Sequence, residues 1–154
     1  MRRRLVASVV AGAALVVACS GIKSQTNSFA TLAEARQAGA ISSGWIPDGL
    51  PAGAHDIREG HVPGTRQRWG LFEYPRAEEA VLRELLRPDE VRSDSGRCEV
   101  PARIAWWPLM LRGQVEPDRL AATGLRVYRA QQGDLLYAVN WNQGRAYYWA
   151  PPNP

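Results

Sequence analysis

Residues 125–150, LRVYRAQQGDLLYAVNWNQGRAYYWA, decide the fold class of this chain. Three runs rich in aliphatic and aromatic residues are separated by two short polar segments that contain glycine, 132–134 and 142–144. Runs of this kind with such turns are typical of an antiparallel meander. The sequence therefore predicts three consecutive strands: 125–130, 135–141 and 145–150.

Aromatic side chains are distributed over both faces of these predicted strands. The two-residue period of a strand places alternate side chains of the middle run on one face, namely Leu135, Tyr137, Val139 and Trp141. In the last run Tyr147 and Trp149 alternate with Tyr148, so they lie on opposite faces of the strand. A core on one side of the sheet would bury only one of these sets, and the other set would need a second layer to cover it. Core packing is one interpretation of these rings. A stacking surface for a glycan or peptide is the other.

A hairpin precedes the meander. Residues 54–62 and 66–74 have strand composition, and Val62-Pro63-Gly64-Thr65 supplies a turn in which glycine can adopt positive φ. Residues 89–101 are expected to be a polar loop. The most apolar run of the remaining chain, 104–111, fits either a buried strand or a short helix.

Short helices are indicated by caps and by periodicity. Thr31 and Glu34 form a capping box, and Gly39 suits the position after the helix. A second helix begins at Pro75 and is ended by Pro88. A brief third helix covers 117–122 and ends at Gly124. The residues expected to face the core are Leu32, Ala35 and Ala38 in the first helix, and Val81, Leu82, Leu85 and Leu86 in the second.

These elements predict an α+β fold. We expect an antiparallel sheet of about five strands, made of the hairpin and the three-strand meander and packed on one side with two or three short helices.

The N-terminus has the features of an export signal. Three arginines follow Met1, and residues 5–18 are apolar. This run suits a signal peptide and is shorter than the roughly 20 residues of a spanning helix. Val16-Val17-Ala18 stands before Cys19, and Ser20-Gly21 follows, which is the pattern of a lipobox. An ordinary secretory signal with an incidental Cys19 is the alternative.

This start resembles the bacterial lipoprotein signal class. The resemblance implies a diacylglyceryl thioether on Cys19 and usually a third acyl chain, such as palmitate, on its amine. Two or three chains anchor a protein stably. The predicted organisation is a signal peptide at 1–18, a tether at 19–28 and a single α+β domain at 29–154. We therefore expect an exported protein, anchored to the cell-envelope membrane through Cys19 and facing the periplasm or the exterior.

Charge and cysteine content limit the function further. The formal net charge of +4 falls to about +1 when the three arginines of the predicted signal leave, so no nucleic-acid partner is expected. If Cys19 carries lipid, Cys98 has no partner within the chain. Its thiol is then either buried and inert or available for an intermolecular bond. No CxxC spacing, nucleophile elbow or phosphate loop is present, so we predict no cofactor and no metal.

A family resemblance emerges from the middle of the chain. Its motifs are Thr31-Leu32-Ala33-Glu34-Ala35, Gly39-Ala40-Ile41, Gly44-Trp45-Ile46-Pro47, Asp56-Ile57 with Glu59 and His61, and Trp69 with Phe72. At this spacing they resemble the YbbD head domain over about residues 29–74. The chain departs from that pattern after His61. The resemblance implies an exported or lipid-anchored bacterial protein and supplies no activity.

One polar cluster is a candidate for chemistry. Strand alternation would place His55, Glu59 and His61 on one face and Asp56 on the other. Imidazole beside carboxylate can serve acid–base chemistry or metal binding. The structural alternative is that Asp56 caps a turn and Glu59 pairs with an arginine across the hairpin, Arg66 or Arg68.

Three functions are compatible with these features. The preferred one is a non-catalytic, lipid-anchored envelope module that binds a protein or cell-wall partner. Its candidate ligand surface comprises Asp56, Glu59, His61, Trp69 and Tyr148. The alternatives are a small envelope hydrolase or metal-binding protein that uses His61 with Asp56 or Glu59, and an inhibitor or immunity-like protein of the envelope.

Overall fold

The computed structural model describes residues 23–93 and 96–152. The strands are β1 Gln25–Thr31, β2 His55–His61, β3 Arg68–Glu73, β4 Leu86–Glu90, β5 Arg97–Cys98, β6 Gly113–Gln114, β7 Arg126–Ala130, β8 Leu136–Asn140 and β9 Arg145–Trp149. Seven of them form one sheet in the order β1-β2-β3-β9-β8-β7-β4, and β5 pairs with β6 separately. All of these pairings are antiparallel.

The helices of the described residues are short. They are α1 Leu32–Gln37, α2 Glu79–Glu84, preceded by a 3₁₀ turn at Arg76–Glu78, and α3 Pro117–Ala121, with a further 3₁₀ helix at Leu109–Leu111. Within this part of the chain, no helix has the length and apolar character needed to cross a bilayer.

The predicted α+β class, hairpin and meander are confirmed, and the strand number is larger than expected. The hairpin joins the meander because β3 pairs with β9, with Trp69 opposite Trp149. The main sheet has seven strands instead of about five because β1 and β4 were not predicted. β1 includes residues 25–28, which were expected to belong to the tether. The sequence of β1 gives no strand signal because most of its side chains are polar and exposed.

β4 replaces the predicted end of the second helix. α2 ends at Glu84, and the next residues turn into an edge strand that contains Pro88. Proline is tolerated there because an edge strand has amides that need no partner in the sheet. Within α2, Val81 is 40 % exposed and Leu82 is buried, and Leu86 is buried in β4. The predicted inward position of Val81 is therefore wrong, and the predicted loop at 89–101 begins within β4.

α1 forms as the capping signals predict. The Thr31 hydroxyl accepts a hydrogen bond from the Glu34 amide at 3.2 Å. The Glu34 carboxylate accepts from the Ala30 amide at 2.9 Å. At the other end Gly39 has φ +78°, and the Ala40 amide donates to the Ala35 carbonyl at 3.1 Å, which completes a Schellman motif. Ala38, expected to face the core, is exposed because it lies at the cap.

Both faces of the main sheet are covered, which corrects the prediction of helices on one side. One face packs with residues of α1 and α2 and is called here the α1 core. The other packs with α3 and with residues 104–115 and is called the α3 core. Alternate residues of β8 belong to the two cores, with Tyr137 in the first and Leu136 in the second. This arrangement is why both faces of the meander are rich in large apolar residues.

The apolar run 104–111 is neither a strand nor a regular α-helix. It is irregular, ends in the 3₁₀ helix, and covers the last strand through Trp107. The Trp107 ring meets those of Tyr147 and Trp149 edge-on, with centroids 5.7 and 6.5 Å apart. The segment can stay irregular because the Arg112 guanidinium donates to its carbonyls, to that of Ile104 at 2.5 Å and to that of Trp107 at 3.3 Å.

Gly70 allows β3 and β9 to pair closely over Tyr148. A Cβ at this position would overlap the Tyr148 hydroxyl and lie 2.6 Å from the Arg58 carbonyl oxygen. We predict that Gly70→Ala lowers the free energy of unfolding by about 1–3 kcal/mol, as overpacking does. Urea denaturation measures the change. Gly64→Asn is the control, because nothing lies within 4 Å of that position and asparagine tolerates its positive φ. Equal losses in the two variants would contradict the overpacking account.

Candidate functional site

The start of β2 is distorted by a bulge. The register with β3 shifts between His55 and Arg58. Within the bulge Asp56 has φ +46°, and no other non-glycine residue of the described ranges has positive φ. Such a backbone costs of the order of 1 kcal/mol or more. Regular alternation would separate His55 from Asp56, but the bulge brings both beside Glu73, which lies opposite His55.

His55, Asp56 and Glu73 form what we call the bulge cluster. One nitrogen or oxygen from each residue lies within 4.8 Å of the corresponding atoms of the other two. The His55 Nδ1 lies 2.9 Å from the Gly53 carbonyl oxygen, and Nε2 lies 3.8 Å from Glu73 Oε2. The other carboxylate oxygen of Glu73 accepts from Arg145 Nε at 3.0 Å. This bond raises the pKa of the Arg145 guanidinium.

Beyond the bulge, β2 carries a buried polar pair. The Glu59 side chain is fully buried, and His61 is 4 % exposed. Glu59 Oε2 lies 3.0 Å from His61 Nδ1, and Oε1 accepts from the Asn27 amide on β1. The His61 ring stacks on Trp45 with centroids 3.9 Å apart and planes 10° from parallel. We call Glu59 and His61 the buried pair.

The predicted partners of Glu59 across the hairpin are wrong. Arg66 instead pairs with Asp134 at 2.5 Å, and Arg68 lies 3.5 Å from the same carboxylate. Glu59 is satisfied by Asn27 and His61 because its side chain points into the interior, where neither arginine reaches it. With so little exposure, the buried pair suits a structural role better than reaction with a dissolved substrate.

The remaining site candidates do not meet at one surface. Trp69 is buried in the α3 core and Tyr148 in the α1 core, so they lie on opposite faces of the sheet. The Tyr148 hydroxyl donates to the Trp45 carbonyl at 3.0 Å. Burial, followed by the nearby Glu59, raises its pKa well above the usual value. Asp56 is the exposed member of the predicted ligand surface, so the structure does not support that surface as a unit.

The structure describes one of the two cysteines. Cys19 lies outside the described residues. Cys98 is a free cysteine with 1 % of its surface exposed. Burial raises the pKa of this thiol and so disfavours the reactive thiolate. The structure favours the inert interpretation of Cys98.

Several residues of these clusters could not be found from the sequence. Asn27 was placed in the tether, and no pattern marks it as a partner of Glu59. Trp45 belongs to a segment rich in proline and glycine, whose path is not set by periodicity. Glu73 could have been paired with His55 only with a known register, and the bulge alters that register.

We predict strong energetic coupling within the buried pair. His61→Phe keeps a ring beside Trp45 but leaves the buried Glu59 carboxylate short of a donor, so the free energy of unfolding should fall by about 1–3 kcal/mol or more. In the double variant Glu59→Leu with His61→Phe, part of that loss should be recovered, because Asn27 is exposed and can turn to water. A double-mutant cycle in urea measures the coupling.

His55→Phe is the control for this cycle, since His55 is partly exposed and leaves no buried carboxylate unpaired. Simple additivity of the two single changes at the buried pair would contradict the predicted coupling.

The fold and these clusters define an α+β protein with a mostly antiparallel sheet and a polar interior beneath its N-terminal hairpin. Residues 23–73 match the family model of the YbbD head domain, so this part of the chain is YbbD head domain-like, and the predicted resemblance is confirmed. The family is bacterial. The match covers β1, α1, β2 and β3, which hold both clusters. Neither the curated proteins nor the solved structures gave a significant match.

Proposed function

We propose that this chain is a lipid-anchored module of the bacterial cell envelope that binds an extended segment of a partner protein at the edge of β1. The family match supports the envelope association. The positive start, the short apolar run and the lipobox at Cys19 support the anchor. The observation that supports binding is the nature of the β1 edge.

In the part of the chain that the structure describes, β1 is an edge strand without the usual protection against pairing. Its seven residues, QTNSFAT, contain no charge and no proline, and all but Phe29 are exposed. The opposite edge, β4, has the sequence LRPDE and a register shift, so it carries both charges and a proline. Proteins commonly block edge strands with such features, because an open edge offers unpaired backbone groups to another chain. The contrast supports the proposal that a partner strand pairs with β1.

The β1 edge and the predicted lipid anchor together restrict the chemistry and the location of the partner segment. An added strand is held mainly by backbone hydrogen bonds, so an uncharged edge favours an extended segment that is itself uncharged. Five residues lie between Cys19 and Gln25, and the six steps from one Cα to the next reach at most about 20 Å. With Cys19 in the membrane, β1 lies close to its surface, and the partner segment has to be membrane-proximal.

The hydrolase alternative gains no support from the described residues. His61 is enclosed by Glu59 and Trp45, and Asp56 lies within the bulge with its side chain exposed.

We predict that Cys19 carries the lipid. Intact-mass analysis of protein extracted from membranes should show a chain that begins at Cys19 with a diacylglyceryl group and an acylated amine. Cys19→Ser should move the protein from the membrane to the soluble fraction, because stable anchoring requires at least two chains. Cys98→Ser is the matched control and should leave the protein in the membrane. An unmodified Cys19, or a mature chain that starts at Met1, would refute the anchor.

The binding proposal is tested by photo-crosslinking in intact cells. A photoreactive residue at position 26, on the exposed edge, should give a discrete adduct with one protein. Ser28→Lys should suppress this adduct by placing a charge on the open edge, as natural edge strands do. Gln132→Lys, an exposed site in the β7–β8 turn, adds the same charge and should have no effect. Adducts with a second copy or with glycan, or an adduct indifferent to Ser28→Lys, would contradict the proposal.

A further inference from the structure

Within the same hairpin, the bulge cluster has a donor set and a geometry that the proposed function does not use. We propose that His55, Asp56 and Glu73 bind a divalent transition-metal ion, with zinc as the reference ion, at the partly exposed start of β2. This inference does not depend on the anchor or on binding at the edge of β1.

The bulge makes the convergence of three ligands possible. Neighbouring residues of a regular strand point to opposite faces, so His55 and Asp56 could not serve one ion there. The positive φ of Asp56 and the register shift remove this obstacle. Glu73 joins them because it stands directly opposite His55 on β3. Bulges are known to re-aim side chains in this way beside functional sites.

The imidazole of His55 is oriented from outside the cluster. Its Nδ1 lies 2.9 Å from the Gly53 carbonyl oxygen, which can only accept, so Nδ1 carries the proton. In the neutral ring Nε2 then holds a free lone pair, and it lies 3.8 Å from Glu73 Oε2. The Glu78 carboxylate accepts a hydrogen bond from the Gly53 amide at 2.9 Å. This bond holds the backbone of Gly53, and with it the carbonyl that His55 contacts, in place. Metal-binding histidines are oriented by such backbone contacts.

The Glu73 carboxylate is likewise oriented by a contact from outside the cluster. Arg145 donates to Oε1, which leaves Oε2 facing His55. The two carboxylates carry two negative charges and Arg145 one positive, so the site remains favourable for a cation. Zinc bound at about 2.0–2.1 Å in a tetrahedral site separates its ligands by about 3.4 Å. The present separations, up to 4.8 Å, exceed this value by at most about 1.4 Å.

The donor types restrict the ion. Carboxylates alone would favour magnesium or calcium, whereas imidazole favours zinc and its transition-metal neighbours. Three protein ligands leave an open coordination position. The side chains of His55 and Glu73 are 43 % and 29 % exposed, so water can occupy that position.

Zinc chloride titrated into the full chain carrying Cys19→Ser tests the proposal, since this change removes a competing thiol. The chain contains two histidines, so imidazole NMR distinguishes them directly. One equivalent of zinc should shift the His55 Nε2 resonance and leave the buried His61 resonances in place. Calorimetry should report one site, and the melting temperature should rise with zinc because the ion binds the folded state.

Asp56→Asn is the main variant, because asparagine has the same shape and tolerates positive φ at least as well. Its zinc affinity should fall at least tenfold, since loss of even an outer-shell partner costs about 10–100-fold. Asp118→Asn removes an exposed carboxylate elsewhere and should leave affinity unchanged. His55→Gln should abolish the NMR response. The proposal is overturned if Asp56→Asn binds zinc as tightly as the parent, if His61 responds in place of His55, or if magnesium competes equally.

Discussion

A carboxylate without access to water is the constraint around which the N-terminal half of this structure is arranged. Glu59 is fully buried, and burial of an unpaired carboxylate is costly enough that its partners have to be in place in the folded state. Those partners come from two directions, the Asn27 amide on β1 and the His61 ring two residues further along β2. His61 is in turn stacked on Trp45, from the segment after α1. One buried group thus connects the edge strand β1, strand β2 of the N-terminal hairpin and the α1 core.

The bulge in β2 separates an exposed polar cluster from a buried one. At the start of β2 and within the bulge, the polar side chains of His55 and Asp56 are partly or fully exposed. From Ile57 onward the side chains of Ile57, Glu59 and His61 are buried. A regular strand with this sequence would have placed His55 on the same face as Glu59 and buried it. The strained backbone at Asp56 therefore keeps a half-exposed polar cluster apart from a buried one within seven residues.

The sequence was informative wherever local rules decide the structure. The capping box of α1, the glycine after it, the hairpin turn and the three-strand meander all formed as predicted, because each depends on residues close together in the chain. β1 was missed because an edge strand with a polar outer face has no apolar alternation to reveal it. β4 was missed because Pro88 argues against a strand unless its edge position is known. The clusters at His55 and Glu59 needed the hairpin register and β1, so their partners Glu73 and Asn27 could not be assigned from sequence.

The family match ends at residue 73, but the polar clusters inside it are completed by residues beyond it. Arg145 on β9 holds Glu73, and Tyr148 on the same strand donates to the carbonyl of Trp45, the residue on which His61 stacks. Gly70 on β3 lacks a side chain that would collide with Tyr148. The head-domain segment therefore depends on β9 for both the exposed cluster and the buried one. β9 pairs with β3 along its whole length, so in this chain the head-domain hairpin and the C-terminal meander act as one structural unit at the site.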